Sequence, residues 1–190
     1  MKKKLILVTA SVALTACAVF GGTLAWLTST TNPVTNLFTP SKVAVELTES
    51  TGATYTMLPG VADIAKDPKA TVKSGSEDCY LFVKLEEKNN YSDWLSHTMA
   101  DGWYVLDETN HPGVYYRTVP AGDSDQSFSV LQDDKVTLQP GITRAQMNQL
   151  YQSCGSNATN MPKLDITAYV VQLKKSDTDS FTPAEAWKAK

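Results

Sequence analysis

The sequence is poor in the residues that most enzymes use at their reactive centres. Its 190 residues include only two histidines, His97 and His111, and three cysteines. The histidines do not form an HExxH motif, no CxxC pair is present, and neither a GxSxG motif nor a glycine-rich phosphate loop occurs. The sequence therefore predicts no catalytic residue, no cofactor and no metal site.

Charge is absent from a long stretch near the N-terminus. Three lysines follow Met1, and residues 5–27 then contain no charged side chain. A basic start, an apolar middle and a small-residue exit together are typical of a secretory signal. Thr23 and Ala25 supply the small side chains at the −3 and −1 positions of a cut. We therefore predict that residues 1–25 form a signal helix that is removed before Trp26.

Three other fates of this leader are compatible with the same residues. Ala16 and Ala18 also provide a small-x-small site, which would place the cut after Ala18. Residues 14–17 resemble a lipobox, in which Cys17 would be acylated. The charge-free segment is also long enough to span a membrane uncut. Each alternative exports the rest of the chain, because the lysines stay on the cytoplasmic side.

The exported part of the chain is acidic. The leader holds three of the 17 basic residues and none of the 20 acidic ones, so its removal leaves 165 residues with a net charge of −6. This charge argues against nucleic acid and anionic membrane surfaces as partners. Membrane contact is expected only through the leader. A chain of this length predicts one domain with a sizeable core.

Cysteine is scarce after the leader, where only Cys79 and Cys154 remain. In an exported protein, two cysteines are compatible with one disulfide. Two separate buried thiols are the alternative, because Cys79 stands where a small core residue would suffice. The sequence leaves both arrangements open.

After the leader, the predicted elements are short strands separated by turns. Residues 26–40 are rich in Thr, Ser, Asn and Pro and predict an extended segment. Within a domain covering residues 41–190, strands are predicted at 42–48, around Tyr55 and Met57, at 70–73, at 79–85 as the central strand, at 102–106 and 113–119 as a hairpin, at 127–131, at 135–138 and at 164–173. Capping boxes at Thr143 and Thr182 predict two short helices. The fold class is all-β, an antiparallel sandwich of the jelly-roll or immunoglobulin type.

Aromatic side chains in the strand region allow two interpretations. They are Trp94, Trp103, Tyr104, Tyr115 and Tyr116. Such residues form either a binding face or core and cross-strand pairs.

Several motifs together resemble a known family. The run from Gly21 to Thr28 (GGTLAWLT), followed by residues 36–39 and an alternating strand at 43–47, resembles the SipW-dependent signal region of the TasA/camelysin family. Four later stretches also resemble the corresponding stretches of clostridial-type members of this family: residues 66–72, 76–84, 166–172 and 184–187. The resemblance implies a jelly-roll-like sandwich, cleavage by a signal peptidase of the SipW type, and a place in the cell envelope or biofilm matrix of a Gram-positive bacterium. Some members form fibres by donor-strand exchange, and Trp26, Leu27, Leu37 and Phe38 would mark that donor segment here.

We therefore expect an exported, non-enzymatic surface or matrix protein, with self-assembly into fibres through its N-terminal segment. One alternative is a metal-dependent endopeptidase, since camelysin is classed as a metallopeptidase; the scarcity of histidine argues against it. The other alternative is a membrane-anchored or lipoprotein binding module that uses exposed aromatic residues.

Overall fold

The computed structural model describes residues 42–50, 55–154 and 160–190. Within these residues the chain forms ten strands, three α-helices and one 3₁₀ turn. In chain order they are β1 (Val45–Thr48), β2 (Asp63–Ala65), β3 (Lys69–Val72), β4 (Cys79–Lys88), α1 (Tyr91–Trp94), β5 (Leu95–Ser96), β6 (Tyr104–Asp107), β7 (His111–Val119), β8 (Gln126–Ser129), the 3₁₀ turn (Gln132–Asp134), β9 (Lys135–Leu138), α2 (Arg144–Cys154), β10 (Lys163–Gln172) and α3 (Pro183–Ala189).

The strands form three antiparallel sheets. The largest has the order β10-β4-β7-β6, and the two smaller sheets have the orders β1-β3-β8 and β2-β9-β5. All of the strand pairings are antiparallel. The prediction of an antiparallel all-β chain with few, short helices is confirmed.

Strand β4 lies at the centre of the four-stranded sheet, as its sequence predicts. It pairs with β10 on one side and with β7 on the other. Because side chains alternate along a strand, its two faces enter different clusters. Cys79, Leu81, Val83 and Leu85 join a main cluster that draws residues from all three sheets. Phe82 joins an aromatic cluster on the opposite face.

The aromatic cluster is small and is completed by α3. Its buried members are Phe82, Val114, Ala186 and Trp187. The helix begins after Thr182, whose side chain accepts a hydrogen bond from the Glu185 backbone, while the Glu185 side chain returns to the Thr182 backbone. This is the capping box that the sequence predicts. The box positions the helix so that Trp187 packs against the sheet.

Some element boundaries differ from the prediction. Residues 55–60 form no strand, so the strand predicted around Tyr55 and Met57 is wrong; both side chains nevertheless pack against the main cluster. The hairpin turn is shorter than predicted, because β7 begins at His111. Strand β1 is confined to four residues. The predicted domain 41–190 is described from residue 42, and the signal helix and extended segment lie outside the described residues.

Candidate functional site

The most distinctive surface feature is the open edge formed by β10. This strand is ten residues long, and among the described residues it pairs only with β4. The other edge strands of the three sheets are two to four residues long. A long edge is a template for adding another strand, because it presents unpaired N–H and C=O groups.

The register shows which backbone groups of β10 point outward. Leu173, directly after the strand, donates its N–H to the Asp78 carbonyl at 2.7 Å. In an antiparallel pair, residues that exchange bonds with the partner alternate with residues that point away. Residues 167, 169 and 171 therefore face β4. The N–H and C=O groups of residues 166, 168, 170 and 172 face the open edge.

Both faces of β10 are covered by side-chain packing. Ile166, Ala168 and Val170 pack against the main cluster. Tyr169 and Val171 pack against the aromatic cluster on the other face. The strand is therefore held in place by two cores, while no other strand of the described residues pairs with its outer edge.

Charge is confined to one end of this edge. Asp165 accepts from the ammonium groups of Lys88 and Lys163, both at 2.7 Å. Residues 166–172 (ITAYVVQ) carry no charge and no proline. Uncharged segments of high β-propensity without proline favour strand addition. Two devices that normally protect an edge, charge and proline, are thus absent from most of β10.

A cleft of about 560 Å³ lies where β4 ends and β7 begins. It is lined by Lys84, Leu85, Glu86, Glu87, Lys88, His97, Pro112, Gly113 and Tyr115. Gly113 has a φ of +72°, and a Cβ there would lie 2.3 Å from the Leu85 carbonyl oxygen. Only glycine fits this close approach of the two strands. The residue is therefore required by the geometry of the cleft wall.

His97 is the half-buried titratable group of this cleft. Its Nδ1 atom lies 3.6 Å from the Glu87 Oε1 atom. That distance is too long for a hydrogen bond, and Nδ1 is buried without a hydrogen-bond partner in the described structure. Burial lowers the pKa of His97, and the Glu87 carboxylate acts in the opposite direction. The centroid of the neighbouring Tyr91 ring lies 5.8 Å from that of His97. Burial raises the pKa of the Tyr91 hydroxyl.

The two histidines lie in different environments and do not form a pair. His97 packs against Tyr91, a member of the main cluster. The His111 ring lies 6.3 Å from the ring of Trp187, a member of the aromatic cluster on the other face of the sheet. Within residues 42–50, 55–154 and 160–190, no three histidine, cysteine or acidic side chains form a group able to hold a metal ion.

The two cysteines are separate thiols in this structure. Cys79 and Cys154 are both buried and both free. Burial raises the pKa of Cys79 to about 11, which keeps its thiol protonated and unreactive. Cys154 donates from Sγ to the Asn160 carbonyl at 3.3 Å. Of the two arrangements that the sequence allows, the structure therefore has the unpaired one and not the disulfide.

The aromatic residues do not share one exposed face. Trp103 is buried, and Trp94 and Tyr115 pack against the main cluster. Tyr116 packs instead against the aromatic cluster, where its centroid lies 5.9 Å from that of the exposed Tyr104. The interpretation as core and cross-strand pairs is correct for most of them.

The predicted cleavage residues Thr23, Ala25 and Trp26, and the donor residues Leu27, Leu37 and Phe38, lie outside the described residues. Sequence reasoning predicts the strand at 164–173 but gives no reason to expect it at an edge. It also gives Glu87 no role. The sequence carries no signal for the first, because residues 166–172 lack the charges usual at an edge.

No family model, no curated protein and no solved structure matches the chain. None of the helices in the described ranges has the length and apolar character needed to cross a membrane.

Proposed function

We propose that this chain is an exported structural protein of the cell surface or biofilm matrix, whose subunits assemble by strand addition along β10. The observation that carries the proposal is the ten-residue strand β10. Among the described residues it pairs on one side only, and residues 166–172 are free of charge. An incoming extended segment would bond to the outward N–H and C=O groups of this edge.

The donor in this proposal is the segment at residues 26–40 of a neighbouring copy. It follows the predicted cleavage site, and its Leu27, Leu37 and Phe38 offer apolar side chains beside an uncharged edge. The jelly-roll form of the sandwich, the cleavage before Trp26 by a peptidase of the SipW type, and membership of the TasA/camelysin family belong to the same proposal. They rest on the sequence resemblance.

The test compares the mature chain starting at Trp26 with a variant that lacks residues 26–39. We expect the mature chain to form high-mass assemblies in light scattering and electron microscopy, and the truncated chain to stay a folded monomer. A double variant, Leu37→Ser and Phe38→Ser, keeps the length of the segment and should assemble poorly. Fibres formed by the truncated chain would disprove the donor role.

The endopeptidase alternative has one local feature in its favour, the cleft that holds His97 and Glu87. It predicts casein cleavage that is abolished by a chelator and by His97→Ala. His111→Ala is the matched control, because His111 lies on the other face of the sheet. Absence of cleavage by the purified chain supplied with zinc would exclude this alternative. The anchored binding-module alternative predicts a monomer that keeps Met1 or an acylated Cys17, which the intact mass of the native protein would show.

A further inference from the structure

Arg117 lies on β7, the strand next to the edge strand β6 of the four-stranded sheet. In the register it is paired with Leu81 of β4. Its guanidinium lies close to two aromatic rings. The Cζ atom lies 3.8 Å from the centroid of the Phe128 ring and 5.3 Å from that of Trp103. Phe128 belongs to β8 of a different sheet, so the side chain spans the gap between two sheets.

This cation has no counterion among the described residues. All 20 acidic residues of the chain lie in the described ranges, and none forms an ion pair with Arg117. Its Nε is buried and has no hydrogen-bond partner in the part of the chain that the structure describes. Burial lowers the pKa of the guanidinium. Aromatic faces attract the charge but do not replace the acceptors that its N–H groups require.

Unlike Nε, the terminal nitrogens Nη1 and Nη2 are not among the buried side-chain atoms that lack a hydrogen-bond partner in the described residues. Gly102 lies beside them, and a Cβ at that position would be only 3.0 Å from Nη2. Next to it, Tyr104 and Val105 of the edge strand β6 expose 62% and 43% of their surface. Among the described residues β6 pairs only with β7. Val105 pairs with Tyr115 and shares the face of Arg117, whereas Tyr104 pairs with Tyr116 on the other face. An unpaired cation, the exposed Val105 side chain and the outer edge of β6 therefore occur together.

We infer that this surface binds a carboxylate carried by an extended peptide segment. The carboxylate would accept two parallel hydrogen bonds from the planar guanidinium fork. The segment that carries it lies along β6 and covers Val105, which pairs with Tyr115 and so shares the sheet face of Arg117. This inference does not rest on the proposed function, which uses the opposite edge.

The probe is the blocked peptide Thr-Val-Glu-Val-Thr, with Thr-Val-Gln-Val-Thr as its neutral match, titrated into the full chain by calorimetry. We expect saturable binding of the glutamate peptide and at least about tenfold weaker binding of the glutamine peptide. Arg117→Lys keeps the charge but loses the fork, so it should also weaken binding about tenfold. Thermal melting establishes that each variant is folded.

Two controls separate this site from other parts of the chain. Arg144→Met removes the only other arginine, which is exposed on α2, and should leave the affinity unchanged. Ala168→Pro alters the β10 edge and should also leave it unchanged. Equal affinity for the two peptides, no saturable binding, or an unchanged affinity in a folded Arg117→Lys chain would each overturn the inference.

Discussion

The two edges of the four-stranded sheet are built differently. Strand β10 has ten residues in an unbroken register with β4, and both of its faces pack against buried clusters. Strand β6 has four residues, its register with β7 shifts between Val105 and Asp107, and two of its side chains are exposed. Short, irregular edges resist strand addition, whereas long, regular ones invite it. This difference is why we propose backbone-driven assembly at β10 and side-chain recognition at β6.

We expect the largest difference between the two edges in the free energy of unfolding, when a side chain that packs beside each edge is truncated. Trp187 is 7% exposed, and its ring centroid lies 5.4 Å from those of both Phe82 and Tyr169. Trp187→Ala should lower the free energy of unfolding by about 3–5 kcal/mol, because it removes the helix contact that covers β10 and leaves a cavity. Tyr104→Ala on β6 should cost less than about 1 kcal/mol, since that ring is mostly exposed. Urea unfolding followed by circular dichroism measures both, and equal losses would contradict the comparison.

The second difference concerns the backbone. Thr167→Pro removes an N–H that the register directs toward Lys84, and should cost about 2 kcal/mol or more because the Lys84 carbonyl loses its partner. Ala168→Pro removes an N–H that points away from β4, so it should cost less than about 1 kcal/mol. It should nevertheless block strand addition. Urea unfolding and light scattering together distinguish the two variants.

Val105→Pro is the matched change on the opposite edge. It lies where the register of β6 with β7 already shifts, and it should leave assembly intact. If Ala168→Pro assembles as the parent chain does, or if Val105→Pro also abolishes assembly, β10 is not the acceptor.

Much of the strand pattern was predictable because it is local. Alternation from Cys79 to Leu85 predicts a strand with two buried faces, and the Thr143 and Thr182 capping boxes predict both longer helices. The edge position of β10 was not predictable, since it depends on pairing between residues far apart in the chain. For the same reason, sequence alone did not bring Arg117 to Phe128 or His97 to Glu87. The strand predicted around Tyr55 was wrong because an irregular segment also allows the Tyr55 ring to pack against the main cluster.

We expect the smallest difference between the two edges in the pH dependence of stability, which a carboxylate on the helix α3 beside β10 affects. The Glu185 side chain accepts from Lys175 Nζ at 2.7 Å and from the Thr182 backbone N–H and hydroxyl, both at 2.8 Å. The lysine, and then the two threonine groups, lower the pKa of this carboxyl to about 2 from its usual 4.5. Because the folded pKa is the lower one, the stabilisation is complete above about pH 4.5 and is lost as the pH falls toward 2.

Glu185→Gln removes this titration from the helix that covers β10. The parent chain should therefore lose more stability than the variant between pH 4.5 and pH 2, and the difference should shrink in high salt because the side chain is exposed. Glu108→Gln, in the turn after β6, is the matched control and should follow the parent chain. Urea midpoints at pH 5 and pH 2.5, in low and high salt, measure the effect. If the urea midpoint falls equally in the parent chain and in Glu185→Gln between pH 5 and pH 2.5, the Glu185 carboxylate does not contribute to the pH dependence of stability.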